Sequence, residues 1–276
     1  MHDRRLTLAR MDLADDILEG MIRAERFVAA TTMRVVAPRA AILAAPRAHG
    51  EQVDQLLFGE TFAVLEFRGG FAWGQAARDG YVGWVAVEAL TRERLEPTHR
   101  VSALSTFAFA EASIKAPAQG PFSLNALVKV MEAEGRLARV ADAGWIPLAH
   151  LAPIGLAFAN PAETVRGFLG VPYLWGGRDS LGLDCSGLVQ AALQAAGIAC
   201  PRDTDLQAGL GRAIPPRAAR RGDLVFWRGH VGMLVTDTDL IHANAHHMAV
   251  AIEPLAAAIE RISVSGGGEP TAYRRI

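Results

Sequence analysis

The segment Leu183-Asp184-Cys185-Ser186-Gly187 sets a helix-capping carboxylate immediately before a thiol. A helix is predicted from about Cys185 to Ala196, with Leu188, Val189, Ala192, Leu193 and Ala196 apolar and Gly197 past its end. With Asp184 as cap, Cys185 falls in the first turn, where the dipole and unpaired N–H groups favour a thiolate. Ser186 and Gly187 are small and allow close approach of a substrate. A free cysteine titrates near ~8.5, so nucleophilic chemistry at neutral pH needs a histidine beside it. His230 opens an apolar strand, and His242 lies near the end of the next. A hairpin turn of odd length puts both on one face, whereas an even turn requires a bulge. One imidazole can then take the thiol proton while the other fixes its tautomer.

The competing chemistries fit poorly. About twelve helical residues separate Cys185 from Cys200, which at ~1.5 Å each is ~18 Å, whereas a disulfide needs Cα atoms within ~7 Å. Cys200, ahead of Pro201, reads as a small buried hydrophobe. His242, His246 and His247 are the one grouping that suggests a metal, but adjacent strand residues face opposite ways. No metal and no organic cofactor is assigned. Gly266-Gly267-Gly268 lacks the strand and helix of a phosphate loop, and Arg217 to Arg221 reads as a solvated face.

Composition narrows the class. With 276 residues, 51% hydrophobic and 21% charged, the chain is a folded protein of two or three domains. A net charge of −1 gives no basic excess, so nucleic acid is not expected as a partner. No apolar run has membrane-spanning length, and no signal-type apolar segment follows the opening residues. The expectation is a cytoplasmic protein without a membrane partner.

The elements that must position the thiol and the imidazoles come last in the chain. Residues 1–30 form an arm, with Leu13, Ile17, Ile22 and Phe27 predicting an amphipathic helix over 12–29. From Thr31 short β-type segments follow, separated by turns at Gly59-Glu60, Arg68-Gly69-Gly70 and Asp79-Gly80, which predicts a small barrel over 31–93. Gly83-Trp84-Val85-Ala86-Val87-Glu88-Ala89-Leu90 is echoed by Gly144-Trp145-Ile146-Pro147-Leu148-Ala149-His150-Leu151, 61 residues on. That period predicts a second barrel over 98–155. In 156–276, Asn160-Pro161-Ala162-Glu163 starts a helix, the Cys185 helix follows, and three consecutive strands come after. Helices followed by hairpin-linked strands indicate an α+β domain.

Five ordered motifs carry a resemblance across 160–276. They are Pro172-Tyr173-Leu174-Trp175-Gly176-Gly177, Leu183 to Val189, Arg221-Gly222-Asp223-Leu224-Val225-Phe226-Trp227, Gly229-His230-Val231-Gly232-Met233, and Ile241-His242-Ala243. Together they resemble the NlpC-type, papain-like cysteine peptidases of bacterial cell walls. The resemblance implies Cys185 as nucleophile, His230 as general base and His242 as the orienting third residue. It implies that Tyr173 binds substrate or stabilises the oxyanion, and that Asp184, Ser186, Asp203 and Thr204 line the substrate pocket. Many relatives carry Ser where this chain has Thr204.

The barrels look like bacterial Src-homology-3-type domains, and two of them before this peptidase resemble the γ-D-glutamyl-L-diamino acid endopeptidases. That subgroup implies short muropeptides with a free N-terminal L-Ala as substrate, cut in cell-wall peptide recycling. It also implies that Glu51 and Tyr81 capture the free amine. The alternatives from other classes are an acyltransferase or amidase on the same scaffold, and a non-catalytic wall-binding module.

Overall fold

In Thr61–Arg68 buried Phe62 and Val64 alternate with half-covered neighbours, the period-two pattern of a strand with one face on a core. The computed structural model describes residues 2–158 and 160–276, which divide into two compact units, Met1–Ile154 and Gly155–Ile276. Among the described residues, no helix is long and apolar enough to cross a membrane.

The predicted helix over 12–29 does not form. Its place is taken by β1 (Ala14–Asp15), a single 3-10 turn over Asp16–Leu18, and β2 (Phe27–Val28), paired in parallel with β1. Leu13 is buried with Leu8, Leu43, Trp73 and Trp84, whereas Ile17 and Met21 are 72% and 63% exposed. The apolar residues therefore share no buried face, and the burial that stabilises an amphipathic helix is missing. Asp15 caps the 3-10 turn by accepting from the Ile17 N–H, and Gly20 at φ +79° turns the chain away.

Seven strands follow: β3 (Thr31–Val35), β4 (Arg39–Leu43), β5 (Gln52–Leu57), β6 (Thr61–Arg68), β7 (Phe71–Ala76), β8 (Val82–Ala86) and β9 (Leu90–Thr91). They form one sheet in the order β5-β4-β8-β7-β6-β3-β9 around Ile42, Leu56, Phe62, Val64 and Val85. The next set comprises β10 (His99–Val101), β11 (Ser105–Phe109), β12 (Ala118–Ser123), β13 (Leu127–Val128), β14 (Val130–Glu134), β15 (Leu137–Val140), β16 (Gly144–Pro147) and β17 (Leu151–Pro153). Here the orders are β12-β11-β16-β15-β14 and β13-β10-β17. The sequence echo becomes a structural one. In both copies the Gly-Trp strand runs into a 3-10 turn, Val87–Ala89 or Leu148–His150, and then into a short closing strand. Trp84 pairs with Leu43 and Trp145 with Phe109 at the same place in each set.

The two sets share side chains as well as a pattern. Leu57 and Phe58, at the end of β5, belong to the second core with Val101, Phe122, Val128 and Ile146. Arg34 also pairs with Asp142 at 2.6 Å, bridging the sets.

The second unit opens with α1 (Pro161–Gly167), capped as predicted: Asn160 accepts from the Ala162 N–H at 3.0 Å, and Pro161 occupies the first turn. A small ribbon, β18 (Arg178–Asp179) and β19 (Gly182–Leu183), leads into α2 (Cys185–Ala195) and then the short α3 (Thr204–Gln207). The remaining elements are β20 (Arg212–Ala213), β21 (Leu224–Trp227), β22 (His230–Leu234), β23 (Asp239–Asn244), β24 (Ala249–Pro254), α4 (Leu255–Val264) and β25 (Ala272–Arg275). The strands form one sheet, β20-β25-β21-β22-β23-β24, with α2 packed against β22 and β23.

Candidate active site

Asp184 sits at the N-cap of α2 and accepts from the Gly187 N–H at 2.7 Å, which puts Cys185 first in the helix. Its carboxylate also accepts from the Gly176 N–H at 2.9 Å and from both terminal nitrogens of Arg202, at 2.9 and 2.5 Å. Arg202 is 1% exposed and further donates to Ser186 Oγ at 2.8 Å and to the Gly177 carbonyl. The segment Pro172–Gly177 is thereby fastened to the start of the helix. Gly187 belongs to this contact. A Cβ there would meet the Gly177 carbonyl at 2.1 Å, so its smallness serves backbone packing.

Cys185 is 7% exposed, its sulfur lies 3.8 Å from Thr204 Oγ1, and it takes a hydrogen bond from the Val231 backbone N–H. That contact brings the start of β22, and so the His230 backbone, to the thiol. The register Met233↔Ile241 and Leu234↔Leu240 continues to Gly232 opposite His242. His230 is then two residues along from His242 on the same face, as an odd turn requires. The rings meet through His230 Nε2 and His242 Nδ1 at 2.8 Å.

The electrostatics differ from the thiolate expected at a helix start. Burial pushes the Cys185 thiol up to about 11, with the Asp184 charge adding to it and Thr204, the Val231 N–H and Arg202 opposing less strongly. Burial likewise takes His230 down to about 3, helped by its neighbours His242 and Arg261. His242, also mainly through burial, falls to about 4. Both partners of the pair rest neutral. Tyr173 is half-buried, and burial followed by the charges of Cys185 and Asp184 raises its phenol well above the usual range.

The other predicted residues are placed as follows. Asp203 precedes α3, its carbonyl accepting from the Leu206 and Gln207 N–H groups, and Thr204 opens that helix. Asp184 and Ser186 are buried with Arg202, so their side chains brace the start of α2. Glu51 and Tyr81 belong to the N-terminal unit. Glu51 is exposed ahead of β5, whereas Tyr81 is buried and its N–H donates to Asp79 Oδ1 at 3.1 Å.

Two participants carry no motif in the sequence. Glu253, near the end of β24, bonds His242 Nε2 at 2.7 Å, and Arg261 of α4 donates to the same carboxylate. A carboxylate near His242 is legible only through strand register, which sets Leu240 opposite Glu253 and His242 opposite Ala251. His242, His247 and Glu253 bring one potential ligand atom each within 4.8 Å of one another. Here His242 is bonded to Glu253, and Arg261 donates to the same carboxylate.

Residues 170–261 match the NlpC/P60 family, and residues 42–90 match the bacterial dipeptidyl-peptidase Sh3 domain. The chain is 36% identical over 101 residues to a γ-D-glutamyl-L-lysine dipeptidyl-peptidase of Bacillus cereus, covering 34% of this chain and 30% of the relative. The protein of that name in Bacillus subtilis is 26% identical over 212 residues, 68% of this chain and 71% of the relative. Dipeptidyl-peptidase 6 of Lysinibacillus sphaericus is 35% identical over 86 residues, 31% and 32% of the respective chains. The chain thus spans about a third of two of these relatives and most of the third. A crystal structure of an NlpC/P60 family protein from Bacillus cereus superposes with a TM-score of 0.75 at 21% identity, over 88% of this chain and 99% of the other, and shares the fold.

Proposed function

Residues 170–261 form an NlpC/P60 domain behind a bacterial SH3-like domain, and from that premise we propose a cysteine peptidase that hydrolyses the γ-D-glutamyl–L-diamino acid bond of short muropeptides. The observation that carries it is the buried thiol at a helix start, beside a strand whose histidine is bonded to a second histidine. The names of the relatives supply the bond type. The common strand order of the two N-terminal sets supports reading both as SH3-like barrels. A thiol-bearing helix ahead of a histidine-bearing sheet supports a papain-like α+β catalytic domain.

The Cys185 sulfur attacks the γ-carbonyl carbon and passes its proton to His230 as the S–C bond forms. The oxyanion is met by the Cys185 N–H, at the first position of α2, and by the Tyr173 hydroxyl. Collapse breaks the C–N bond, and the leaving amine takes the proton from His230. Water then adds to the thioester, giving a proton to His230 that returns to sulfur, and frees L-Ala-γ-D-Glu. Asp203 and Thr204 flank the acyl group. Glu51 and Tyr81 are assigned to the free amine of L-Ala by the sequence resemblance. This selectivity suits the recycling of peptides already released from the wall.

Mass spectrometry of products from a defined tripeptide, free and N-acetylated, tests the reading. The free peptide should yield L-Ala-γ-D-Glu with wild type and nothing with Cys185→Ala, and acetylation should suppress cleavage. Glu51 is exposed, and an exposed ion pair is worth ~0.2–1 kcal/mol, so Glu51→Ala should lower kcat/KM for the free peptide by roughly 1.5- to 5-fold without improving cleavage of the acetylated one. Cleavage of the acetylated peptide at the wild-type rate would remove the amine from the proposal, and no cleavage of either would remove the substrate.

A further inference from the structure

His230, His242 and Glu253 stand on three successive strands, β22, β23 and β24, each displaced by two residues from the position directly opposite its neighbour. The displacement places all three side chains on one face as a diagonal row. Two hydrogen bonds join them, His230 Nε2 to His242 Nδ1 at 2.8 Å and His242 Nε2 to Glu253 Oε1 at 2.7 Å. At the far end Arg261 donates to Glu253 from α4, the helix that directly follows β24. His242 is wholly buried, and Asn244 holds the nearby His247 through its ring Nδ1 at 3.0 Å.

The row admits one assignment of protons. A carboxylate only accepts, so Glu253 requires the proton of His242 to be on Nε2. A neutral imidazole with Nε2–H has a lone pair at Nδ1, and that lone pair requires a donor. His230 Nε2 therefore carries its proton toward His242, and His230 Nδ1 is left as the unprotonated nitrogen. The premise that the carboxylate is ionised is supported locally. Burial alone would raise Glu253, but the hydrogen bonds from Arg261 and His242 outweigh it and hold the group below its ordinary value.

We propose that Glu253, held by Arg261, is a positioning residue that sets the tautomer of His242 and, through it, makes Nδ1 of His230 the nitrogen that takes the proton of Cys185. It acts two residues away from the reacting atoms, by fixing which nitrogen is free and by offsetting the positive charge that reaches His230 in the transition state. Removing the carboxylate leaves His242 free to turn its proton toward His230. That forces His230 to carry its own proton on Nδ1, the tautomer that cannot act as base. Arg261 keeps the carboxylate pointed along the row, so its loss should matter less than that of Glu253. The inference rests on the reading of His230 as the base but not on the identity of the substrate.

The test is the Glu253→Gln enzyme, which preserves side-chain shape, examined in two ways. In protein labelled with 15N-histidine, the wild type should show His230 protonated at Nε2 and bare at Nδ1. Glu253→Gln should show the reversed or a mixed state. In turnover, a general base contributes about 10²–10⁴-fold, so loss of its orientation should lower kcat at least tenfold with KM within about twofold. Glu253→Asp should recover part of the loss, and an unchanged melting temperature would set the effect apart from unfolding. Wild-type His230 carrying its proton on Nδ1, or a variant with unchanged tautomer and kcat, would overturn the proposal. Where the wild type fails to cleave the muropeptide, the substrate assignment falls, and the nitrogen spectra still decide the role of Glu253.

Discussion

Burial raises the Cys185 thiol to about 11 and lowers the His230 imidazole to about 3, so both rest neutral, and the reactivity of Cys185 has to follow from that. The reactive species toward an alkylating agent is the thiolate. Below its titration point the thiolate fraction grows tenfold per pH unit, so alkylation of Cys185 by iodoacetamide should climb steeply and continuously between pH 6 and 10. A thiolate–imidazolium pair would give a rate already level from mildly acidic pH. The measurement belongs in a Cys200→Ser background, where one thiol reports. Cys200 is 4% exposed and its sulfur donates to the Pro201 carbonyl, so that background should keep its peptide turnover. A plateau reaching down to pH 5 would show that the helix start dominates over burial. With His230 as the proposed base, turnover should likewise fall toward acid pH, but only as His230 gains a proton, well below the ordinary histidine range.

At the scale of elements, the segment before α2 and the segment after it are joined by one ion pair. Arg202 and Asp184 are both buried, and the Gly176 and Gly187 N–H groups, the Ser186 hydroxyl and the Gly177 carbonyl bond to them. Breaking such a pair by removing one partner costs ~3–5 kcal/mol, because the other charge is stranded. Arg202→Leu should destabilise the catalytic unit by about that amount in chemical denaturation, and adding Asp184→Asn should recover part of it. A loss under 1 kcal/mol would mean that the helix start stands without the pair. This network was only half legible. Asp184 announced itself as a cap and Asn160 as another, since capping depends on residues a few positions apart. The hairpin histidines followed from turn parity, and the Gly-Trp echo from its period. Arg202 and Glu253 did not, because their partners lie 18 and 11 residues away and are chosen by packing and register. The arm over 12–29 failed for a related reason: its spacing suited a helix, but Leu13 is claimed by the two tryptophans while Ile17 points to solvent.

For the molecule as a whole, the order β5-β4-β8-β7-β6 of the first N-terminal strand set returns as β12-β11-β16-β15-β14 in the second, whose interior takes residues from the first. The chain leaves β5 with Leu57 and Phe58 turned into the core of the other set, where Phe58 meets Phe122 edge-on at a ring distance of 5.1 Å. The Phe58 carbonyl accepts from the Leu127 N–H at 2.8 Å. Gly59 follows at φ +79°, where a Cβ would strike the Leu127 carbonyl, so the crossing is close as well as apolar. Arg78 extends the link by pairing with Glu60 at 2.5 Å and donating to the Asn125 carbonyl. A junction of this kind couples the stability of the two sets, because the second core is complete only with Leu57 and Phe58 held in place by the first. Truncating a buried phenylalanine costs ~3–5 kcal/mol through lost burial and the cavity left behind. Phe58→Ala should therefore lower hydrogen-exchange protection in the strands of 31–93 and of 98–153 together, although Phe58 packs in only the second core. Loss of protection confined to the second set would show two independent barrels joined end to end, and would leave the shared core as packing without cooperativity.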